Sequence, residues 1–544
     1  MGYTTSPNIF AAVVVMLALV AIGCVVQRVM EAREPLAGTR LGKPQPPELG
    51  WAAVPGVAAA LSLYLIGFTG AKGAYVALPI GVALLAAWWP IRNWLKAHFT
   101  FAFAVVALLI AIGGLSIIGY GLYFGSLPSD SMNFRWRYWV GSFNVLLEHP
   151  LLGVGWANFG NPYQAHRLVA AVEGIKDPHN WIVRLFVELG SVGGLLGIAW
   201  AIALAWGVTR PTPADAPAHV AKPSIQVIHL LWLPVGSLAL YLFLIAGPLA
   251  GQGQFESLEF LKRILFTFLM TLAMGAVPIL HSKNAVTDDR PAPLIHAAMV
   301  VGVAMFMMMS LIDMGLFAPG PLALMSMLIG AALGVRLHAR PIGARGQAAV
   351  MIALVFLVLV WAVGLIVTVV PVATADGYAD RAGRAAAGGK FYEASERMRS
   401  ARDALPVKNA EYELLAAQYA LQTQTPSGLD EALKALDRAV QADPTSPKVW
   451  LQRGRVKQFS LDAAVRASGL ADFGKGVELS PSELSLRQEY ADLLEKSGRP
   501  VEAVAQIEQA LKINDGLDEK EPARLAPEQL NVLRDRAARL RARG

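Results

Sequence analysis

Runs of about 20 apolar residues, the length that crosses a hydrocarbon core, recur through the first two thirds of the chain. Ten are readable, at roughly 9–28, 51–68, 72–89, 99–124, 181–207, 226–247, 264–280, 292–312, 321–335 and 349–372. Between the fourth and fifth lies a polar interruption, 125–180, longer than a simple turn needs. After about residue 373 the pattern changes. Ala, Leu, Glu, Arg and Gln dominate there, and apolar positions recur at helical spacing. The pattern predicts an all-α chain: a polytopic membrane bundle over 1–372, then a helical region over 373–544.

Within that region, 412–444, 449–481 and 486–515 each divide into two helices. Each closes on an apolar-plus-acidic phrase: AVQADP, GVELSP, ALKIND. The spacing is close to the 34 residues of a tetratricopeptide repeat. Residues 376–405 form a preceding pair that caps the stack, and 525–541 form a closing helix. Such stacks present concave peptide-binding surfaces, which implies a protein partner; the plainer account is a spacer.

Composition agrees with a membrane protein. The 544 residues are 55% apolar, with a mean hydropathy of +0.46. The net charge of +7 is spread along the chain and reads as loop orientation, not nucleic-acid binding. Cys24 is the one cysteine, so no intrachain disulfide forms. The first run has no basic segment before it, and Arg28, Arg33, Arg40 and Lys43 follow it. It reads as a retained span with its N-terminus outside. Alternation then puts 29–50, 90–98, 208–225, 281–291 and 336–348 inside, all carrying Lys or Arg. Residues 125–180, 248–263, 313–320 and the C-terminal region fall outside. Two outside positions break the bias, Arg135 with Arg137 and Lys262 with Arg263. An anionic substrate is one reason for such cations; snorkelling to lipid headgroups is the other.

The 125–180 loop carries the candidate chemistry. A helix over 134–148 would place Trp136, Val140, Phe143 and Leu147 on one face, and Arg137, Gly141, Asn144 and Glu148 on another. That suits an interfacial helix. Arg135 at its start offers the fork that grips a phosphate bidentately. His149-Pro150 ends the helix, and Gly153 and Gly155 shape the loop that follows. Asp177 reads as a helix cap and Pro178 as the first helical residue. His179 then falls in the first turn, where the helix field favours anions and neutral imidazole. It suits deprotonating or orienting a hydroxyl, or holding a leaving phosphate. Arg184 and Glu188 sit four apart and pair. Gly190 with Gly194, and Gly193 with Gly197, read as helix-packing patterns. Asp313 is a further candidate; its plainer account is an interfacial acid. No HxxH, DxD or cysteine cluster lies on the outer side, so neither metal nor cofactor is expected.

These residues resemble the O-antigen ligase and O-antigen polymerase family of bacterial envelope glycosyltransferases. The resemblance rests on Arg135 four residues before Trp139, the turn 149–155 (HPLLGVG), and His179-Asn180 opening a helix with Glu188 and Gly190. It extends over about 60–335. It departs at 69–73 (TGAKG), where the family has a Ser-Arg-Gly and this chain has Lys72. Family members usually carry more spans than the ten here, so the chain is a shortened variant or lacks an upstream part.

The resemblance implies a multi-pass enzyme of the bacterial cytoplasmic (inner) membrane, of the GT-C type. Its active loop and repeat region would lie on the periplasmic side. It would transfer or polymerise a glycan from an undecaprenyl-pyrophosphate donor onto an acceptor hydroxyl, without a metal. The acceptor would be a glycan, a lipid or a protein, and membrane lipids would surround the donor. His179 and Arg135 would be catalytic. Lys72, Arg137, Asn180, Glu188 and Asp313 would bind substrate. The alternatives are a protein O-oligosaccharyltransferase and a non-catalytic scaffold that recruits partners through its repeats; loss of His179 separates the scaffold from the enzymes.

Overall fold

A computed structural model describes residues 6–33, 47–211, 292–334, 344–519 and 521–542. The expected spans 226–247 and 264–280, and Lys262 with Arg263, lie outside the described residues. Among the described residues every regular element is helical. Contacts divide the chain into two units: 1–216 with 291–338 and 477–544, and 217–290 with 339–476. The helices after residue 373 are thus shared between them.

The first unit begins with α1 (Pro7–Arg33), α2 (Pro47–Thr69), α3 (Lys72–Ala97) and α4 (Phe99–Phe124), then α5 (Asp130–Glu148) and α6 (Gly160–His166). It continues with α7 (Trp181–Thr209), α8 (Pro293–Met309), a 3-10 turn at Gly315–Phe317 and α9 (Pro319–Gly334). Five of these, α1, α2, α3, α4 and α7, are long and apolar enough to cross a membrane. At 17 and 16 residues, α8 and α9 are shorter than a full span.

The core forms around α1. Ala11, Val15, Met16 and Leu19 bury against Ala74 and Ala77 of α3 and Ala298, Met305 and Phe306 of α8. Backbones come close where α8 crosses α1: a Cβ on Gly302 would lie 2.9 Å from the Met16 carbonyl oxygen. Gln27 closes the packing by accepting from the Leu294 N–H (3.1 Å), which satisfies one orphan donor at the start of α8. By contrast α4 is apolar all round and leaves Leu108, Ile110, Leu115 and Leu122 exposed, as a lipid-facing helix does.

The same unit holds α17 (Leu484–Lys496), α18 (Pro500–Asp515) and α19 (Pro527–Arg541). Their core is Ala491, Leu494, Ala503, Ile507, Ala537 and Leu540.

The second unit holds α10 (Ala344–Gly364), a π-turn at Leu365–Val369, α11 (Val370–Ala387), α12 (Phe391–Asp403), α13 (Ala410–Gln422), α14 (Pro426–Ala442), α15 (Pro447–Lys457) and α16 (Ala463–Leu479), the last three residues of which belong to the first unit. Alanine dominates the buried positions, including Ala394, Ala401, Ala417, Ala432 and Ala435. Small side chains let the paired helices approach closely. Asn409 caps α13 and Thr425 caps α14. Buried Glu413 holds Arg438 through two 3.0 Å bonds. The helices fall where the sequence places the helix pairs 376–405, 412–444 and 449–481.

Candidate functional site

Helix α5 begins at Asp130, four residues before the expected start, because the Ser129 hydroxyl accepts from the Met132 N–H (3.3 Å) and caps it. It packs through a face that is neither of the two read from the sequence. Tyr138, Gly141, Ser142 and Val145 are buried, at spacings 3, 1 and 3. They pack with Phe159, Tyr163, Ile175 and Val187. Trp136 fits against Gly121 of α4, while Phe143 and Leu147 stay exposed with Leu151 and Leu152. The packed face mixes apolar and small polar residues, so hydropathy does not mark it.

The turn after α5 enters α7. Gly190 has φ +68° and ψ −176°, which breaks that helix. In an unbroken helix the carbonyls of Val187 and Glu188 would accept from residues 191 and 192. Here Val154 N–H donates to Val187 (3.0 Å) and Gly155 N–H to Glu188 (2.9 Å). The freed Ser191 N–H donates to the Pro150 carbonyl (2.8 Å). A Cβ on Gly190 would lie 2.1 Å from the Leu151 carbonyl oxygen, and one on Gly153 2.5 Å from backbone atoms of 187–190. Gly190 is therefore a helix break that admits the 150–155 loop, not a helix-packing residue; Gly153 and Gly155 shape that loop with φ of +68° and +90°.

The start of α7 also corrects the sequence reading. Asn180, not Asp177, is the cap: its Oδ1 accepts from the N–H groups of Ile182 (2.9 Å) and Val183 (3.2 Å). Pro178 and His179 precede the helix, and His179 has φ +53°. Asp177 accepts from the His179 N–H (2.8 Å) and from Arg184 Nη1 (2.6 Å). Burial pushes the Asp177 carboxyl above its ordinary value, and the Arg184 guanidinium pulls it back. Arg184 Nε also donates to Glu188 (3.0 Å), whose side chain is fully buried. The guanidinium lies 4.7 Å from the Trp156 ring centre and 4.8 Å from that of Phe317. This is the expected 184–188 pair, enlarged by a second carboxylate and two aromatic faces.

The segment 310–317 assembles the rest. Trp181 N–H donates to the Ser310 carbonyl (3.2 Å). Arg135 Nε donates to the Ile312 carbonyl (2.7 Å), and its Nη1 to the Ser131 carbonyl (2.8 Å) and hydroxyl (2.6 Å). Trp139, four residues on, donates its indole N–H to the Pro178 carbonyl (3.2 Å). The Arg135–Trp139 spacing thus ties α5 to both the 310–317 segment and the turn before His179. Asp313 accepts from the Met314 N–H (2.7 Å) and the Ser6 hydroxyl (3.4 Å). Its Oδ1 lies 4.0 Å from His179 Nδ1. A Cβ on Gly73, at the start of α3, would lie 3.6 Å from Ile312; Lys72, the residue before it, is exposed.

Three predicted residues therefore gather around 312–313: Arg135, His179 and Asp313. Three do not join them through their side-chain contacts. Asn180 caps α7, Glu188 pairs with Arg184, and Arg137 donates to the Ala170 carbonyl (2.8 Å) and to Asp518 (2.6 Å). The sequence reading missed Tyr138, whose hydroxyl donates to Glu173 and whose ring lies 6.0 Å from that of His179. Burial and the Glu173 carboxylate both push its hydroxyl well above the usual tyrosine range. A buried tyrosine needs a partner for its hydroxyl, but nothing in the sequence says which.

Residues 57–198 match the family model described as O-antigen ligase. The stretch includes Lys72, Arg135, His179 and the Gly190 break, and it ends before Asp313. No curated protein matches the chain.

Proposed function

From an O-antigen ligase domain at residues 57–198, we propose a glycan transfer at the outer face of the inner membrane. The donor is a glycan on undecaprenyl pyrophosphate and the acceptor a hydroxyl. The acceptor oxygen attacks the anomeric carbon, the bond to the pyrophosphate oxygen breaks, and lipid pyrophosphate leaves. Arg135 and Lys72 offset the negative charge that develops on the leaving group. His179 takes the hydroxyl proton through its second ring nitrogen, while Asp313, 4.0 Å from Nδ1, stabilises the imidazolium that results. Arg137, already paired with Asp518, has no step in this scheme.

The observation that carries the reading is the meeting of Arg135, His179 and Asp313 on one short segment. These residues are far apart in the chain, and the fold spends interhelical bonds to hold them. A lysine at 72 supplies charge but not a fork. A departure of that kind keeps the scaffold reading as the second one. The helix pairs of the C-terminal region, read as tetratricopeptide-like repeats, would present a protein acceptor or recruit an assembly partner. Surface-polysaccharide profiling in a strain lacking the gene tests the proposal. Wild type restores a glycan, and His179→Ala and Arg135→Ala at matched protein levels do not. Full complementation by both variants would leave the scaffold. The species lost separates a ligase from a polymerase or a protein oligosaccharyltransferase.

A further inference from the structure

The loop 167–176 joins α6 to the turn that carries His179, and it is held from a distant part of the chain. Arg167 is nearly buried. Its Nη1 donates to the Val172 carbonyl, which curls the loop on itself, and its Nη2 donates to Glu483 (2.5 Å). The Ser482 hydroxyl donates to the Arg167 carbonyl (3.2 Å). Beside this polar contact, Val169 and Val172 cover Leu484, Ala510, Ile513 and Leu517. Arg137 adds a third tie, bonded to the Ala170 carbonyl and to Asp518. All these residues lie within the first unit.

The grip reaches the site through named contacts. The loop carries Glu173, Glu173 accepts from the Tyr138 hydroxyl, and the Tyr138 ring stands beside His179. We infer that α17 and α18 are a clasp that sets the loop for glycan transfer, with Arg167 as its positioning residue. The inference rests on the transfer proposed above, but the clasp itself can be measured without it. A repeat-like pair that served only to recruit a partner would have no need to bury an arginine of the 125–180 loop.

The geometry offers a direct test. A Cβ on Gly516 would lie 3.6 Å from the Val169 Cβ, a disulfide distance. Cys24 is the one native cysteine, so Cys24→Ser gives a clean background. In the full chain in membranes, Val169→Cys with Gly516→Cys should cross-link under mild oxidant and keep the surface glycan. Absence of the cross-link would overturn the juxtaposition. Glu483→Arg should lower the glycan about tenfold or more at matched protein level. Glu483→Arg with Arg167→Glu, or Glu483→Arg with the oxidised disulfide, should restore it. A glycan unaffected by Glu483→Arg, or lost and restored by neither route, would overturn the positioning role. If His179→Ala also leaves the glycan intact, the transfer reading falls, and with it the role assigned to the clasp; the cross-link still reports whether the clasp exists.

Discussion

Replacing Gly190 by alanine probes the break in α7 that admits the 150–155 loop. With φ +68° and ψ −176°, the residue occupies a region nearly closed to side chains, and alanine there costs about 1–3 kcal/mol. Its Cβ would also fall 2.1 Å from the Leu151 carbonyl oxygen and 2.5 Å from the Leu152 nitrogen. Those are backbone atoms, so the loop must withdraw as a unit. Withdrawal breaks the bonds Val154 to Val187, Gly155 to Glu188 and Ser191 to Pro150, at about 1 kcal/mol each. The sum is about 4–6 kcal/mol, a large share of an ordinary domain's stability. Gly113 of α4 is the control, because a Cβ there meets nothing within 4 Å and alanine favours a helix interior by about 0.5–1 kcal/mol. The assay is heating of the detergent-solubilised full chain, followed by size exclusion of what stays folded. Gly113→Ala should melt at or slightly above wild type, and Gly190→Ala many degrees lower. A Gly190→Ala protein with wild-type melting and wild-type glycan would refute the inserted loop.

Three further outcomes follow from the same geometry. Arg184→Ala leaves the carboxylates of Asp177 and Glu188 buried without a cation, a loss of about 3–5 kcal/mol; Arg184→Lys should recover only part of it, since lysine lacks the fork, and thermal unfolding reads both. Asn180→Ala should cost about 1 kcal/mol as a lost cap, whereas Asn180→Ser should keep both melting temperature and surface glycan; loss of glycan in the serine variant would return Asn180 to the substrate. Transfer in washed membranes should continue in excess chelator, and its arrest would introduce a metal step that the scheme lacks.

The local grammar of this chain is plain in its residues. The long apolar runs, the turn at Gly153 and Gly155, and the pairing of Arg184 with Glu188 all follow from rules that act over a few positions. Direction was harder to see. Hydropathy picks out the apolar face of Phe143 and Leu147 but not the packed face of Tyr138, Gly141, Ser142 and Val145, which mixes apolar and small polar residues. Helix α7 starts three residues later than its sequence suggests, with Asn180 and not Asp177 as the cap. Both Asp177 and Asn180 are good caps, and only the partner Arg184, which takes Asp177, decides between them. Gly190 followed a helix-packing spacing, yet its role depends on a loop some 40 residues earlier. The links from Arg135 to Ile312 and from Arg167 to Glu483 join positions 177 and 316 apart, a separation over which no periodicity speaks.

The most direct test of the account is a transfer assay with the purified full chain in liposomes that contain its lipid-pyrophosphate-linked glycan donor, with release of lipid pyrophosphate as the readout. The account predicts release by the wild type and a fall of at least about a hundredfold in His179→Gln and in Arg135→Gln, both still folded. Release at the wild-type rate from either variant would contradict it.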